Sequence, residues 1–198
     1  MRLHKFLSAA GICSRRSAER RILEGAVTVN GRTVLELGTL VDPHTDRVEF
    51  QGQLVTLDQP RVYVALHKPK GVVTSCRHSG EKIVTDLVKL DYRLYPVGRL
   101  DKDSSGLLLL TNDGGLHHRL LHPSFDHEKT YEVTVAAAIS DDDLKHLAEG
   151  IRLRDGITRA AKVKRLSEVS FRIILQEGRN RQIRRMAQAL GHKVKMLN

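Results

Sequence analysis

The chain has 198 residues, of which 40% are hydrophobic, and a formal net charge of +10. This length suffices for one substantial core and a small second domain. The sequence contains no run of about 18 consecutive apolar residues, which excludes a typical membrane-spanning helix, and its N-terminus lacks a signal-peptide pattern. Cys13 and Cys76 lack the paired spacing of a metal or redox site. We therefore expect a cytoplasmic protein with reduced thiols that does not bind a membrane.

The positive charge is concentrated near the two ends of the sequence. Residues 1–32 contain seven Lys or Arg and two acids, whereas residues 176–198 contain six and one. Each segment therefore carries +5, and the middle is neutral. Two separate basic surfaces favour an extended polyanion as partner. The alternative is a pair of solvated charged helix faces.

Two short helices and a hairpin are predicted at the start of the chain. Apolar residues recur at helical spacing in the first helix, at Leu3, Phe6, Leu7 and Ala10. Gly11 is typical of a helix end. Ser14 predicts the N-cap of a second helix that stops near Gly25. Asn30-Gly31, between two β-type runs, predicts a tight hairpin.

The second helix is predicted to bind RNA. Four arginines lie on its outer side, Arg15, Arg16, Arg20 and Arg21. Guanidinium forks match phosphate oxygens. A further hairpin around Gly52 would close this module, and residues 58–61 are typical of a linker. The sequence thus predicts one domain over residues 1–57 and another over 61–198.

The second domain is predicted to be α+β, with a mainly antiparallel sheet, because its strands and helices are segregated along the sequence. Ser140 predicts the N-cap of a helix with three acids in its first turn. Asn180 predicts the cap of a final helix that stops at Gly191. Strands are expected at residues 62–66, 72–74, 95–97, 107–110, 130–135, 163–166 and 169–175.

One acid stands out in this domain. Residues 98–106 have the sequence Gly-Arg-Leu-Asp-Lys-Asp-Ser-Ser-Gly, which places Asp101 in a glycine-bounded turn between two predicted strands. A carboxylate on a rigidly held loop suits nucleophilic catalysis. Taken alone, such a loop is more often a solvated turn. Asp101 and Asp103 lack a third oxygen ligand for a divalent cation, so no metal is predicted.

A second motif changes the interpretation of that turn. Residues 177–186 have the sequence Glu-Gly-Arg-Asn-Arg-Gln-Ile-Arg-Arg-Met. Together with residues 98–115, this segment resembles the ribosomal-RNA pseudouridine synthases of the RsuA type. The resemblance spans nearly the whole chain, including an N-terminal module similar to the S4 RNA-binding domain. It implies isomerisation of a uridine in ribosomal RNA, without a small-molecule cofactor, by a protein that we expect to be a monomer.

The resemblance also implies a role for individual residues. Asp101 would be the nucleophile, which attacks uracil C6 or sugar C1′, Arg184 its partner, and Tyr131 the ring that packs on the uracil. From the residues alone, Arg184 would be another phosphate contact and Tyr131 a packing residue of a strand. Further substrate and RNA contacts are expected from four neighbours, Arg99, Gln182, Arg181 and Arg185.

Other interpretations remain open. A non-catalytic RNA-binding protein or a ribosome-assembly factor would also explain the charge, but not the residues of the two motifs. Residues 126–129 and 179–186 look closest to family members that act on large-subunit RNA, with a small-subunit target as the alternative. Family members usually continue beyond residue 197 into another strand, so we expect that an edge of the sheet could be missing.

Two remaining features are assigned no chemistry. Four histidines match no common zinc spacing and are expected on a solvated helix and its following loop, where they could approach RNA: His117, His118, His122 and His127. The segment from Lys68 to Gly71 is interpreted as a rigid turn between two strands.

Overall fold

The computed structural model describes residues 1–77 and 80–198. The chain forms two compact units. The first contains residues 1–64, 89–95 and 110–115, and the second contains residues 65–88, 96–109 and 116–198. Within the described residues, no helix is both long and apolar enough to cross a membrane.

The first unit begins with two short helices followed by a small antiparallel sheet in the order β2-β1-β3-β4. Ser14 caps the second helix by accepting a hydrogen bond from the Ser17 amide. The β1–β2 turn is Asn30-Gly31, in which both residues have positive φ, 52° and 77°, as a tight hairpin requires. The elements are α1 Leu3–Ala9, α2 Arg15–Leu23, β1 Val27–Val29, β2 Arg32–Thr33, β3 Val48–Phe50 and β4 Gln53–Leu54.

The core of this unit lies between the helices and the sheet. The apolar sides of α1 and α2 pack on the inner side of β1 and β3. Burying each such side chain stabilises the fold by roughly 1.5–3 kcal/mol. The buried residues include Leu3, Phe6, Leu7, Ala18, Ile22, Val27 and Val48.

The second unit is built around an antiparallel sheet in the order β11-β12-β8-β13. Its strands are β8 Lys129–Val135, β11 Lys162–Ser167, β12 Ser170–Leu175 and β13 Val194–Leu197. A two-stranded hairpin consists of β9 Arg152–Leu153 and β10 Gly156–Ile157. A three-stranded sheet has the order β5-β7-β6, from β5 Tyr63–Lys68, β6 Tyr95–Val97 and β7 Gly106–Thr111.

The helices of this part of the chain are short. They are α3 Gly114–Leu121, α4 Asp141–Glu149 and α5 Gln182–Ala189, with 3₁₀ turns at Val84–Leu87 and Pro123–Phe125. Ser140 caps α4, as predicted. The main core forms where α4 and α5 pack against the four-stranded sheet, and it includes Val133, Val135, Leu144, Leu147, Phe171, Ile173, Ile183 and Met186.

Several local predictions are wrong. Residues 72–74 do not form a strand, because Val73 makes only a single bridge to Ile83. Asn180 does not cap α5. Arg181 occupies that position with a positive φ of 48° and no side-chain cap. The leucines at 107–110 do form a strand, within β7, in which the Leu107 side chain is 69% exposed.

Other strand boundaries shift by a few residues. Strand β5 extends to Lys68, so the turn that we predicted over Lys68 to Gly71 begins one residue later. The edge of the large sheet beside β8 is filled by β13, which pairs with it in antiparallel register. The predicted boundaries at residues 57 and 61 stay a prediction.

Candidate active site

A cleft of about 500 Å³ opens in the second unit. This volume is within the usual range for sites that hold a small ligand. Three segments supply most of its walls: the start of the loop after β6, the beginning of β8, and the loop between β12 and α5. The polar and charged residues among them are Arg99, Asp101, Lys129, Tyr131, Arg159, Gln176, Glu177, Arg179, Asn180, Arg181 and Gln182.

The loop that carries Asp101 is held along almost its whole length. The Thr74 hydroxyl donates to the Leu100 carbonyl, 2.7 Å away, and accepts from the Leu100 amide. The Gly71 amide donates to the Lys102 carbonyl, and Arg184 Nη2 donates to the Asp103 carbonyl. The Ser105 amide donates to the Leu197 carbonyl. Groups from three separate segments, residues 71–74, α5 and β13, therefore fix the backbone on both sides of the carboxylate.

A buried lysine supports this loop from behind. Lys68 is 0% exposed, and its Nζ donates to the carbonyls of Ser104 and Pro69 at 2.8 and 2.9 Å. Burial lowers the pKa of Lys68, while the negative charges of Asp101 and Asp103 oppose that shift. A cation is tolerated in this position because carbonyl dipoles and nearby carboxylates compensate its lost hydration.

Arg184 lies next to the Asp101 carboxylate. Its Nε is 3.9 Å from Asp101 Oδ2, and this buried Nε has no hydrogen-bond partner among the described residues. Its two terminal nitrogens are engaged instead, with the Asp103 carbonyl, the Ser104 hydroxyl and the Val194 carbonyl. The guanidinium is thus fixed by neutral acceptors, and its remaining donor lies beside the carboxylate at a loose distance.

Tyr131 contributes an aromatic wall to the same cleft. It lies on β8, half-buried. Burial raises the pKa of its hydroxyl, and the negative charge of Asp101 raises it further. The phenol is therefore neutral at physiological pH.

The remaining arginines of the 177–186 motif mostly bind protein groups. Arg179 donates to the carbonyls of residues 155–157 in the β9–β10 hairpin and to Glu177. Glu177 also accepts from the buried Gln182 side chain at 2.7 Å. Arg185 forms a bidentate pair with Asp155 at 2.9 and 3.1 Å. The loop between β12 and α5 is consequently rigid where it forms the cleft wall.

Comparison with known proteins identifies the family. A family model described as RNA pseudouridylate synthase matches residues 62–189, and an S4 domain model matches residues 1–48. The chain belongs to the RNA pseudouridylate synthase family. Residues 1–48 form an S4 domain.

Individual relatives of this synthase cover the whole chain. It is 46% identical to the ribosomal large subunit pseudouridine synthase B of Bacillus subtilis, across 98% of this chain and 82% of the relative. It is 41% identical to the dual-specificity RNA pseudouridine synthase RluF of Escherichia coli K12, across 100% and 68%. A crystal structure of a pseudouridylate synthase superposes with a TM-score of 0.70 at 34% identity, covering 100% of this chain and 86% of that one.

Most of the predicted site residues of the synthase lie together. Four of them line the cleft beside Asp101, namely Arg99, Tyr131, Arg181 and Gln182, and Arg184 lies just behind it. Arg185 is directed to Asp155 instead. The four arginines Arg15, Arg16, Arg20 and Arg21 lie on α2 of the S4 domain. The functional role of each residue stays a prediction.

Four histidines were predicted on a helix and its following loop. His117 and His118 lie on α3, and His122 and His127 lie in the segment that follows it, as predicted. Within residues 1–77 and 80–198, no group of three or more His, Cys, Asp or Glu side chains is arranged to hold a metal ion.

Two residues of the site were not identified from the sequence. Lys68 was interpreted as part of a turn, because its burial depends on a loop that lies more than thirty residues later in the chain. Glu177 was quoted only as the start of a motif. A single acid preceding four arginines within nine residues is a detectable signal, since such a carboxylate is commonly paired inside the protein.

Proposed function

We propose that this protein isomerises a specific uridine of large-subunit ribosomal RNA to pseudouridine, with Asp101 as the nucleophile. The observation that carries the proposal is the position of the Asp101 carboxylate. It lies in a cleft with Tyr131, on a loop that three other segments hold, and beside the Arg184 guanidinium at 3.9 Å. Membership of the family supports the reaction, and the names of the relatives support the RNA.

The reaction exchanges one bond between base and sugar for another. A carboxylate oxygen of Asp101 forms a bond to uracil C6 or to sugar C1′, and the N1–C1′ bond breaks. The base turns, a C5–C1′ bond forms, and the bond to Asp101 breaks. The C5 proton leaves and N1 gains one, so product and substrate have the same composition and no oxidant, reductant or cofactor is needed.

The surroundings of the carboxylate fit these steps. Arg184 holds the carboxylate electrostatically, while the loose 3.9 Å contact leaves the carboxylate oxygens free to attack. Tyr131 offers a flat, neutral surface for the extruded base, which an enzyme acting on a stacked nucleotide must hold. Arg99 and Arg181 are exposed at the cleft, where they can contact the flanking phosphates. Gln182 positions the cleft wall through Glu177.

We further propose that the S4 domain docks the RNA through the arginines of α2. Arg15, Arg16 and Arg20 are exposed, and exposed guanidinium groups bind phosphates through charge and paired hydrogen bonds. A small enzyme with two RNA-binding regions needs no second subunit, so we propose a monomer, and we place the reaction in the cytoplasm.

The test begins with a strain that lacks the gene. Pseudouridines are mapped in both ribosomal RNAs, and the missing position is then sought after complementation with wild type, Asp101→Asn or Asp103→Asn. Asp103 is the matched control, because it is an exposed carboxylate in the same loop. We expect one large-subunit position to be restored by wild type and Asp103→Asn, but not by Asp101→Asn. Restoration by Asp101→Asn would exclude the nucleophile, and loss of only a small-subunit position would exclude the substrate.

A further inference from the structure

We propose that the segment between α3 and β8 forms a second base-binding surface, on which the Phe125 ring stacks with an unpaired RNA base that flanks the target uridine. This inference rests on the proposed function, because it requires RNA in the cleft. It adds a recognition site outside the set of residues that line the cleft.

Phe125 differs from the other phenylalanines of the chain. The chain contains four. Phe6 and Phe171 are fully buried in the two cores, and Phe50 packs against the first of them. The Phe125 side chain is 48% exposed. A core role therefore explains three of the four rings, and Phe125 requires a different one.

Imidazole rings surround Phe125 and extend its surface. The His127 ring is nearly parallel to it, with centroids 6.0 Å apart and an interplanar angle of 19°. The His122 ring meets it edge-on at 6.3 Å, and His118 in turn lies 4.9 Å from His122. Single-stranded RNA is bound by aromatic surfaces of this kind, because every base has a flat π-face that can stack.

The aromatic surface lies close to the cleft, because the residues on both sides of it line the cleft. Leu121 and Lys129, four residues before and after Phe125, both line the cleft. Four residues span at most about 14 Å, so Phe125 lies within reach of the nucleotides next to the one in the cleft. A base at this surface would therefore be close in sequence to the target uridine.

The segment is also held in a defined conformation. Asp126 has a positive φ of 42° and pairs with Arg159, a cleft residue, at 3.5 Å. His127 Nε2 lies 2.9 Å from the Arg119 carbonyl, so this nitrogen carries the proton and donates. Glu128 pairs with Lys162 at 2.6 Å. An exposed ring on an ordered segment loses little entropy when it stacks, which favours binding.

The charge around the aromatic rings favours RNA as the molecule that binds there. The acids of the segment, Asp126 and Glu128, are both paired with cations. Arg119 and Lys129 are exposed on either side of the aromatic group. The surface therefore combines flat rings with unneutralised positive charge, the pattern of a single-stranded nucleic-acid site.

The experiment uses a synthetic stem-loop that contains the mapped uridine. RNAs with one abasic position on either side of that uridine are compared with the intact RNA, and equilibrium affinities are measured in the Asp101→Asn background so that no turnover occurs. The protein variants are Phe125→Ala, Phe125→Tyr, which keeps the ring, and Leu166→Ala, a matched control that truncates an exposed apolar side chain on β11.

We expect Phe125→Ala to weaken binding of the intact RNA about tenfold or more, since stacking of one base on an aromatic ring contributes roughly that factor. Phe125→Tyr and Leu166→Ala should bind like the parent. At one flanking position, the abasic RNA should bind the parent as weakly as Phe125→Ala does, and the two changes together should cause no further loss.

Two results would overturn the proposal. In the first, Phe125→Ala binds the intact RNA like the parent. In the second, the affinity lost through Phe125→Ala adds in full to the affinity lost at each abasic position. The ring would then not stack on a base, and it would only hold the protein segment in place. If the mapping finds no modified uridine, the proposed function fails as well. If wild type modifies the mapped uridine but Phe125→Ala behaves like the parent, only the stacking site fails.

Discussion

On α2 of the first unit, two of the four arginines present their charge to solvent, whereas around the cleft of the second unit most arginines are engaged by protein groups. Arg15 and Arg16 form no ion pair with any residue that the structure describes, while Arg20 and Arg21 pair with Glu24 at 3.6 and 3.1 Å. In the second unit, Arg179, Arg184 and Arg185 donate to backbone carbonyls or to Asp155. Exposed arginines of the first unit can thus bind an external anion, whereas the arginines of the second unit hold the protein segments around the cleft in place.

This difference has a general consequence for interpreting basic motifs. A count of positive charges gives +5 for residues 1–32 and +5 for residues 176–198. In the first, Arg15 and Arg16 keep exposed charge without an ion pair among the described residues, whereas Arg20 and Arg21 share Glu24. In the second, most guanidinium groups have internal partners, so its contribution to RNA affinity should be smaller than its charge suggests.

Arg184→Lys should cause the largest effect on the reaction. Lysine keeps the charge but lacks the planar fork that contacts Asp103, Ser104 and Val194. Displacement of the carboxylate loop by about 1 Å should lower kcat by roughly 10²-fold. Arg16→Lys is the matched control and should leave kcat unchanged. Single-turnover rates at saturating RNA measure the effect of each variant. Equal rates for Arg184→Lys and Arg16→Lys would show that Arg184 acts only through its charge.

Lys68→Met should destabilise the second unit. The substitution leaves the buried Ser104 carbonyl without its donor, which should lower the free energy of unfolding by about 1–3 kcal/mol. Urea denaturation measures this change. Lys70→Met, two residues away and exposed, should be nearly neutral. If both variants unfold at the same urea concentration, the buried ammonium does not support the loop.

Replacing Arg16 and Arg20 together by alanine should weaken RNA binding without changing turnover at saturation. Each lost phosphate contact should reduce the slope of log affinity against log salt concentration by roughly 0.9. The slope of the double variant should therefore be smaller by nearly two. Affinities at several salt concentrations provide the measurement. A collapsed saturating rate with an unchanged slope would mean that these arginines support catalysis and not docking.

Asp155→Asn should have the smallest effect, one that depends on pH. Hydrogen bonds from Arg185 hold the pKa of Asp155 below its ordinary value. The unfolded chain then binds more protons than the folded one between the two pKa values, so this stabilisation is present above the ordinary pKa and is lost as the pH falls through the lowered one. Melting temperatures of wild type and variant should differ near pH 7 and converge under acid. Asp58→Asn, at an exposed position between β4 and β5, should show no difference at either pH.

The sequence predicted those features that depend on local chemistry. Ser14 and Ser140 cap their helices, and Asn30-Gly31 turns its hairpin, because each needs only neighbouring residues. The same holds for the alternation that defines β8 and β12. Asp101, Arg184 and Tyr131 were selected through the family motifs, and the structure brings the three side chains together.

Features that depend on distant contacts were predicted poorly. Val72 to Thr74 has a strand-like composition, but within the described residues its pairing is limited to one bridge from Val73 to Ile83, and the Thr74 hydroxyl binds Leu100. Asn180 is a good capping residue in isolation. Here the Gln182 side chain binds Glu177 and the Arg179 amide, which fixes the preceding loop and places Arg181 at the helix start. Local preference was overridden by tertiary contacts in both cases.

The hydrogen bonds between the Asp101 loop and the strand at residues 194–197 also constrain the order of folding. Ser105 and Asn198 are separated by 93 positions in the sequence, and closing so long a stretch of chain carries a large entropic cost that delays its contacts. The loop should therefore reach its final shape late, after β8 and β12 have paired. Recovery of activity in a refolding experiment should then lag behind recovery of secondary structure. The rate at which activity returns would measure the last step of folding.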